Sequence, residues 1–521
     1  MGGFNAADYL LDRHVRDGDG GRTAVVTSGR TLNYAELADA AHRVAGGLAG
    51  IGVRPEERVM LCMVDGVEML TAILGAMYLG AVPVPVSTMV TGPELGKVLA
   101  DSRARVLCVS NEFTTAAKAA IGLAPEVTDV VLDRADPSCF AGRVRTREWA
   151  ELSTSDAHEG YVTWEDSPAL WLYTSGTTGE PKGAMHRHAS IRAVCETYGR
   201  QVLGIGSGDR CFSVAKLFFA YGIGNSAFFP LSVGASAILE PGRPNPQTVA
   251  ERIRTGRPTL FFGVPTFYAA LLASDLPDDT FSSVRQAVSA GEPLPAVLFE
   301  RFRARFGVEI LDGIGSTEAL HIFLSNRSGQ AVPGTTGFPV PGYDVEIRDA
   351  TGSPIVETGQ PGELYVRGPS TACGYWSRYE TTKRVFQGEW LRTGDSYVRN
   401  PDGTYTCLGR FNDMLKAGGI WVSPSEVEQR LLQHPDVAEV AVVAAPDEDG
   451  IEKPVACVVA TPGREVDEQA LIDFCREGLA SFKRPRAVVR VTELPKTATG
   501  KIRRNVIREL VHDSLRPGAL T

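Results

Sequence analysis

The stretch W-L-Y-T-S-G-T-T-G-E-P-K-G-A-M-H-R-H, Trp171–His188, decides the fold class. Its centre is a loop of glycine and hydroxyl side chains with one proline and one lysine, Lys182. An apolar strand pattern precedes the loop at 169–173, and a helical pattern begins at Ala189. Between a strand and a helix, small residues let backbone amides approach an anion, and a lysine supplies positive charge. The stretch therefore predicts a phosphate-binding loop in an α/β protein.

Two other interpretations of this loop are less favoured. Its spacing differs from the P-loop pattern G-x-x-x-x-G-K-[ST], because Gly183 follows the lysine. A flexible surface loop would suit the composition of the loop taken alone. The small residues that would contact phosphate are Thr174, Ser175, Gly176, Thr177, Thr178 and Gly179.

Strand and helix patterns alternate on both sides of the loop. Short apolar runs that predict strands occur at 106–109, 127–132, 170–173, 235–239, 260–263, 284–289 and 309–312. Such alternation predicts layered α/β structure with largely parallel sheets. From about Pro333 the sequence changes to short strands separated by turn residues, which predicts a compact antiparallel β unit over about 333–409.

One apolar segment, Met69–Val86, approaches the length that spans a membrane. Gly80 would end a helix, and Pro83 and Pro85 cannot continue one. We therefore predict a buried helix followed by a short buried strand, and no membrane span.

A small α+β unit is predicted at the C-terminal end. Ser423–Glu426 reads S-P-S-E, a capping box with proline at the first helical position, and it opens a helix through Val427 and Leu431. Strand patterns follow at 437–443 and 454–460. A second helix around Leu471 and a strand at 488–491 would complete the unit.

Composition limits the classes of function. With 521 residues, 43% hydrophobic and 22% charged, the chain is typical of a globular protein with several cores. A net charge of −9 disfavours nucleic-acid binding. The nine cysteines form no C-x-x-C pair, so we expect them to be small buried residues of a protein in the reducing cytoplasm. We also expect no lipid anchor. Monomer and homodimer both remain open.

The segment Y-T-S-G-T-T-G-E-P-K-G resembles the phosphate-binding signature of the adenylate-forming superfamily, which includes acyl- and aryl-CoA synthetases, luciferases and carrier-protein adenylation domains. Five further segments match motifs of this family in the family order, namely Ser289–Pro293, Asp312–Glu318, Trp390–Asp395, Gly409–Asp413 and Pro495–Lys501. The resemblance covers essentially the whole chain. It implies a large N-terminal domain, 1–409, and a small mobile C-terminal domain, 410–521.

The resemblance also implies roles for individual residues. Lys182 and its loop would hold the triphosphate of ATP, and Thr178 with Glu318 would place Mg²⁺. Asp395, with Arg410 nearby, would bind the ribose hydroxyls, and Lys501 would be the catalytic lysine of adenylation. The residues that would border the nucleotide and the acid are Ala290, Gly291, Glu292, Asp312, Gly313, Ile314, Gly315, Ser316 and Thr317. Each residue alone could have an ordinary structural role, and it is their joint occurrence that favours function.

Transfer to a thiol is expected to use a second orientation of the C-terminal domain. Gly418 and Gly419 fall where the pantetheine arm of coenzyme A would pass in the family. The hinge position, commonly Asp or Lys, is Asn412 here and is followed by Asp413. Because asparagine tolerates unusual backbone angles, we expect the rotation to be retained.

The stretch A-K-L-F-F-A-Y-G-I-G-N, Ala215–Asn225, bears on the acid substrate. It lacks the aspartate with which amino-acid-activating domains pair the substrate ammonium, and with S-T-E-A-L-H-I-F it resembles the benzoate-CoA ligase branch. The residues that would line an aromatic pocket are Phe219, Ala220, Tyr221, Gly222, Ala290, Gly315, His321 and Ile322. Phe218 is predicted to be a core residue, and His321 could equally be structural.

The resulting hypothesis is an enzyme that joins an aromatic or similarly hydrophobic carboxylic acid to coenzyme A through an acyl-adenylate, releasing AMP and pyrophosphate. One alternative changes the acceptor to the phosphopantetheine of a carrier protein, and another changes the acid to a bulky alicyclic one. A non-catalytic adenylate-binding protein is disfavoured by the intact set of Lys182, Glu318, Asp395 and Lys501.

Overall fold

The structure is a computed structural model of the whole chain. It describes residues 3–140, 142–175, 180–410, 415–417, 420–446, 452–480, 483–496 and 502–514. Among the helices of these ranges, none combines the length and the apolar composition needed to cross a bilayer.

The first part of the chain contains a short antiparallel pair, β1 Thr23–Val26 and β2 Thr31–Asn33, and then a parallel sheet. The strands of the parallel sheet are β3 Arg58–Cys62, β4 Val82–Pro85, β5 Val106–Ser110, β6 Asp129–Asp133 and β7 Arg145–Glu148. The helices are α1 Ala6–Leu10, α2 Asp12–Arg16, α3 Tyr34–Gly50, α4 Val67–Tyr78, α5 Gly92–Ser102, α6 Thr114–Ile121 and α7 Trp149–Ser153. Strands β3 to β7 form a five-stranded, fully parallel sheet in the order β4-β3-β5-β6-β7.

The middle of the chain builds a hairpin and most of a nine-stranded sheet. Its strands are β8 Pro168–Ser175, β9 Pro181–Arg187, β10 Arg210–Ser213, β11 Ser236–Ile238, β12 Leu260–Gly263, β13 Gln286–Ser289, β14 Ile310–Gly315, β15 Ile322–Ser325 and β16 Phe338–Pro339. The helices are α8 His188–Val194, α9 Ala220–Ile223, α10 Phe229–Ser232, α11 Pro246–Gly256, α12 Pro265–Ala273 and α13 Ala296–Phe306, with π-helical turns at Cys195–Val202 and Gly224–Phe228.

The nine-stranded sheet has the order β16-β15-β14-β13-β12-β10-β11-β1-β2. Its central strands, β14 through β1, are parallel to one another, and antiparallel strands close both edges. The predicted layered α/β class with largely parallel sheets is confirmed. In such sheets ligands bind at the carboxyl ends of the strands.

An antiparallel sheet follows. It contains β17 Asp344–Arg348, β18 Pro361–Arg367, β19 Phe386–Gln387, β20 Trp390–Arg399 and β21 Tyr405–Arg410, with α14 Tyr379–Val385. The sequence pattern predicted this unit from about Pro333, but Phe338–Pro339 pairs with β15 of the nine-stranded sheet. The antiparallel sheet itself therefore begins at Asp344.

The C-terminal part is α+β, as predicted. Its elements are β22 Leu415–Ala417, β23 Ile420–Val422, α15 Pro424–Leu431, β24 Val437–Pro446, β25 Glu452–Ala460, α16 Glu468–Gly478, β26 Ala487–Arg490 and α17 Arg504–Ser514. Residues of α15 and α16 pack on one face of the sheet β24-β25-β26, and residues of α17 pack on the other.

The capping of α15 corrects one detail of the sequence prediction. Ser423 accepts a hydrogen bond from the backbone of Glu426 at 3.3 Å, which is one half of a capping box. The Glu426 carboxylate lies 2.6 Å from the ammonium of Lys483 instead of returning to the cap. The long-range ion pair therefore replaces the second half of the local motif.

The apolar segment Met69–Val86 forms the buried helix α4 and the buried strand β4, as predicted. Gly75 allows α4 to approach α3, because a Cβ at this position would lie 2.7 Å from the Ala41 carbonyl oxygen. Six of the eight described cysteines are buried, as expected. Of the other two, Cys407 is half-buried and Cys373 is exposed.

Candidate active site

The segments on either side of the predicted phosphate loop pair with each other as a β-hairpin. Strands β8 and β9 are antiparallel, with Thr174 opposite Lys182. The expected strand-loop-helix arrangement is therefore wrong, because residues 181–187 form β9 before helix α8 begins at His188. Ala184 and His186 alternate inward along β9, and a buried histidine hides the alternation from a hydrophobicity pattern.

Segment 372–376 fixes the hairpin from its other side. Met185 donates to the Gly374 carbonyl at 3.0 Å, and Cys373 donates to the Met185 carbonyl at 2.9 Å. Trp376 donates to the Gly183 carbonyl at 2.9 Å, and Ala184 forms an isolated β-bridge with Tyr375. This segment acts as a third, short strand beside β9.

Two strand ends form the floor of the site. Strands β13 and β14 are parallel neighbours, with Ser289 opposite Asp312, so their carboxyl ends meet at one edge of the sheet. Ala290, Gly291 and Glu292 follow β13 there, and Gly313–Gly315 ends β14. The Asp312 side chain is 5% exposed, and burial raises the pKa of its carboxyl well above the ordinary value.

A tight turn joins β14 to β15 over residues 316–321. Ser316 accepts a hydrogen bond from the Ala319 backbone at 3.1 Å, and Leu320 has a positive φ of 66°. Gly315 is required where the turn closes, because a Cβ there would lie 2.5 Å from the His321 carbonyl oxygen. The turn places Glu318 and His321 three residues apart on a constrained backbone.

The hairpin and the turn meet through two contacts. His186 Nε2 donates to the Thr317 carbonyl at 2.8 Å, and burial lowers the pKa of His186 to about 4, so the ring is neutral. The Tyr375 hydroxyl donates to Glu318 Oε1 at 2.6 Å. Lys182 Nζ lies 5.8 Å from the centroid of the Tyr375 ring. The predicted triphosphate lysine and the predicted metal carboxylate thus share one aromatic neighbour.

Arg410, a predicted ribose-site residue, influences the Tyr375 hydroxyl electrostatically. Burial raises the pKa of Tyr375 above its ordinary value, and Glu318 adds to the rise, while Arg384 and Arg410 oppose it. Arg410 lies opposite Asp395 in the β20–β21 pair, with Nε 3.3 Å from Asp395 Oδ1. Asp395 is largely buried and its partner is mostly exposed.

The predicted aromatic wall is assembled from two elements. Tyr221, in α9, donates to the carbonyls of Gly263 and Val288 at 3.2 and 3.1 Å, which fixes its ring above the ends of β12 and β13. The His321 ring lies 5.6 Å from the Tyr221 ring, and its Nε2 donates to the Tyr221 carbonyl at 3.3 Å. Burial lowers the pKa of His321 to about 3, so this histidine is a neutral wall residue.

The remaining residues of this wall fit the same arrangement. Phe219 and Ala220 are half-buried, whereas Phe218 is buried in the core, as predicted. Gly222 and Ile322 are buried beside them. Gly224, in the π-helical turn, faces the histidine so closely that a Cβ would lie 2.3 Å from His321 Cδ2.

The buried carboxylate of Asp65, which no sequence pattern indicates, anchors the segment that precedes α9. Asp65 is 5% exposed and accepts from the Leu217 backbone at 3.1 Å. Burial raises the pKa of Asp65 to about 6, and the Lys216 ammonium opposes the rise. The Lys216 side chain donates to the Glu240 carbonyl and, at 2.7 Å, to the Gly242 carbonyl.

The oxygen ligand that the described residues offer near Lys182, the Glu318 carboxylate, is of the kind that Mg²⁺ prefers. No group of three or more His, Cys, Asp or Glu side chains among them is placed to hold a metal. Mg²⁺ beside a nucleotide is commonly held by one or two protein oxygens together with phosphate. Glu318 forms no ion pair within the described part of the chain, so its carboxylate suits such a cation.

Several predicted site residues lie outside the described residues. They are Gly176, Thr177, Thr178, Gly179, Asn412, Gly418, Gly419 and Lys501, and only the backbone of Ser175 is described. Their roles stay predictions.

The structure adds Tyr375, His186 and Asp65 to the predicted set. His186 stands in the quoted stretch, but its partner is 131 residues away. Tyr375 and Glu318 are 57 residues apart, and Asp65 and Leu217 are 152 apart. No local pattern indicates such contacts.

Comparison with known proteins agrees with this arrangement. Residues 11–376 match the family described as AMP-binding enzyme, and residues 426–501 match the AMP-binding enzyme C-terminal domain. The benzoate–CoA ligase of Thauera aromatica is 44% identical over 512 residues, which are 97% of this chain and 96% of the relative. The 4-hydroxybenzoate–CoA/benzoate–CoA ligase of Rhodopseudomonas palustris is 41% identical over 519 residues, covering 97% and 94%.

A solved structure gives the same result. The benzoate CoA ligase of Burkholderia xenovorans superposes with a TM-score of 0.89 at 42% identity, covering 97% of this chain and all of that one. Both the matched families and the near-complete coverage lead to one conclusion: the chain belongs to the AMP-binding enzyme family, the adenylate-forming superfamily that its motifs resemble.

Proposed function

We propose that the protein activates benzoate, or a closely related aromatic carboxylic acid, with ATP and transfers the acyl group to coenzyme A. The observation that carries the proposal is the segment Gly315–Ile322. Glu318 contacts Tyr375 beside Lys182, and His321 contacts the ring of Tyr221. Because three residues span at most roughly 11 Å, the residues of the predicted phosphate site and the aromatic wall must lie next to each other.

The first half-reaction joins two anions. A carboxylate oxygen of the acid attacks the α-phosphorus of ATP, the bond to the bridging oxygen breaks, and pyrophosphate leaves. The chain's part is to neutralise charge and to orient the reactants. Lys182 would contact the phosphates, Asp395 would hold the ribose, and Tyr221 with His321 would hold the ring. Mg²⁺ held by Glu318 and Thr178 would shield further phosphate charge.

The second half-reaction transfers the acyl group. The sulfur of coenzyme A attacks the acyl carbon, its proton is released, and AMP leaves. We propose that residues 410–521 rotate between the two steps about Asn412, and that Lys501 acts in the first step alone. Gly418 and Gly419 would admit the pantetheine arm.

The wall suits a flat, uncharged ring on the acid. The Tyr221 hydroxyl already bonds two strand carbonyls, and the His321 ring is uncharged, so neither side chain presents a charge to the substrate. None of the wall residues named above is acidic, so the wall itself offers no carboxylate to a substrate ammonium group. Aromatic acids therefore fit this wall better than amino acids.

The test is an AMP- and pyrophosphate-release screen of the purified chain with ATP, Mg²⁺ and a panel of acids. Benzoate-type acids should give the highest kcat/KM with coenzyme A, ahead of aryl-acrylic, fatty and alicyclic acids. Carrier proteins bearing phosphopantetheine serve as alternative acceptors. Absence of both products with every acid would refute the proposal, and faster transfer to a carrier protein than to coenzyme A would refute the assigned acceptor.

A further inference from the structure

Tyr375 lies between the two charged groups of the phosphate site, and the chemistry proposed above gives it no role. Its side chain is 7% exposed, and its hydroxyl donates to Glu318 Oε1 at 2.6 Å. Its ring faces Lys182 Nζ at 5.8 Å. A hydrogen bond to a carboxylate is among the stronger ones in proteins.

We infer that Tyr375 is a positioning residue that holds the Glu318 carboxylate in one orientation relative to Lys182. The inference rests on the proposed function, because these two groups matter together only if ATP binds between them. It assigns Tyr375 no contact with substrate and no proton transfer.

The backbone around Tyr375 is tied to both parts of the site. Segment 372–376 pairs with β9, as described above, and Ala372 donates to the Glu318 carbonyl at 2.8 Å. Tyr375 N also donates to Thr382 Oγ1 at 3.0 Å. The hydroxyl is therefore presented from a backbone that is fixed to the hairpin on one side and to the turn on the other.

A glutamate needs such a partner if it is to meet a cation in one geometry. Its side chain has several rotatable bonds, and ordering them has an entropic cost. A short hydrogen bond from a buried hydroxyl selects one rotamer before the ligand arrives. The second carboxylate oxygen, Oε2, is then directed consistently, and this preorganisation favours binding of the metal–nucleotide complex over free nucleotide.

A purely structural hydroxyl behaves differently, and the chain supplies a matched example. Tyr34, in α3, donates to the Ala235 carbonyl at 2.6 Å and is fully buried. Its acceptor is the backbone oxygen of the residue that precedes β11, outside the predicted site, so losing this bond should lower stability without altering nucleotide binding.

The experiment is calorimetry of ATP binding to the full chain without acid, once with MgCl₂ and once with EDTA. Tyr375→Phe keeps the ring over Lys182 and removes the hydroxyl. It should weaken binding about 10-fold with Mg²⁺ and less than about 2-fold with EDTA, the size expected for a hydrogen bond to a charged group. Tyr34→Phe should leave both affinities unchanged. In a Glu318→Gln background, Tyr375→Phe should have no further effect.

Three results would overturn the inference: unchanged affinity with Mg²⁺, equal losses with Mg²⁺ and EDTA, or additive losses with Glu318→Gln. Circular dichroism establishes that each variant is folded. If Tyr375→Phe does not fold, Tyr375→Leu takes its place; because it also removes the ring beside Lys182, the expected result is then a loss of affinity with Mg²⁺ that exceeds the loss with EDTA by about 5-fold. Failure of the wild-type chain to bind ATP under either condition would instead refute the proposed function.

Discussion

Single residues in this site are constrained by contacts that are distant in sequence. Gly224 is the clearest case, because the His321 ring occupies the space where its side chain would be. The motif residues Lys182, Glu318 and Asp395 could be predicted because a family signature names them locally. Tyr375 and Asp65 could not, since their importance comes from partners that only the fold brings near.

Gly224→Ala should damage the aromatic wall. The new methyl group would lie 2.3 Å from His321 Cδ2, so the ring must leave its present position beside Tyr221. Overpacking of this kind costs about 1–3 kcal/mol, and we expect kcat/KM for benzoate to fall by about 10-fold or more. Steady-state kinetics with ATP binding as a second readout checks this, and ATP binding should change little.

The control for this substitution is Gly208→Ala, where an added Cβ has nothing within 4 Å. Gly208→Ala should behave as wild type. If Gly224→Ala keeps wild-type kcat/KM, the His321 ring is not a fixed part of the acid site.

Asp65→Asn should stabilise the protein at neutral pH. Burial raises the pKa of Asp65 to about 6 from an ordinary value of 3.8, so the folded state binds more protons between these values. Stability therefore falls as pH rises from about 4 to about 6, and the full cost persists above that range. Asparagine keeps an acceptor for Leu217 N and carries no charge.

The expected gain for Asp65→Asn at pH 8 is about 1–3 kcal/mol, the upper end corresponding to two pKa units. Melting temperature measured at pH 4.5 and pH 8 checks the sign, because the advantage should shrink at the lower pH. A variant less stable than wild type at pH 8 would show that the carboxylate is favourable in the fold.

At the scale of elements, the β8–β9 hairpin shows both the strength and the limit of sequence pattern. The apolar run 169–173 predicts β8 correctly. Strand β9 is not predicted because its buried positions are Gly183, Ala184 and His186, which show no hydrophobic alternation. Its strand conformation is imposed by tertiary pairing with β8 and with segment 372–376.

His186→Phe should separate the hairpin from the turn. Phenylalanine keeps the buried ring but removes the donor to the Thr317 carbonyl, and an orphaned buried acceptor costs about 1–3 kcal/mol. We expect lower stability together with a raised KM for ATP, measured by thermal unfolding and steady-state kinetics.

His14→Phe is the matched control for His186→Phe. His14 is also buried and bonds a backbone carbonyl, that of Leu231, at 2.7 Å. Both variants should lose stability, but only His186→Phe should alter KM for ATP. Equal KM values for the two variants would mean that the hairpin does not depend on this contact.

At the scale of the whole molecule, buried neutral histidines should make the protein sensitive to acid. Burial lowers the pKa of His186 and His188 to about 4 and that of His321 to about 3, from 6.5. Unfolded chains take up these protons and the folded chain does not, so this contribution to stability is complete above pH 6.5 and is lost as pH falls towards 4.

His188→Asn tests this predicted loss of stability at low pH, at a residue outside the predicted site. His188 Nδ1 accepts from the Ala6 backbone at 3.0 Å, and an asparagine oxygen can replace that acceptor without titrating. The drop in melting temperature between pH 7.5 and pH 5 should be smaller in His188→Asn than in wild type. An equal drop would contradict the assigned role of the imidazole.

The two half-reactions give a prediction for the whole chain. Lys501→Ala should lose formation of the acyl-adenylate by several orders of magnitude and still convert supplied benzoyl-adenylate to benzoyl-CoA, because the proposed rotation removes this lysine in the second step. Rapid-quench assays of each half-reaction measure the difference. Equal losses in both would contradict a division of labour between two orientations of residues 410–521.

The turn at 316–321 carries Glu318, the predicted metal ligand, and His321, a predicted wall residue, on a backbone that Gly315 and Leu320 hold in one conformation. The position of Glu318 and the shape of the acid site near His321 therefore cannot change independently during evolution. A substitution that enlarges the cavity for a bulkier ring near His321 transmits its displacement to Glu318, so new ring preferences should arise with altered nucleotide affinity. Directed evolution of selectivity would then favour paired changes, one in this turn and a compensating one in segment 372–376.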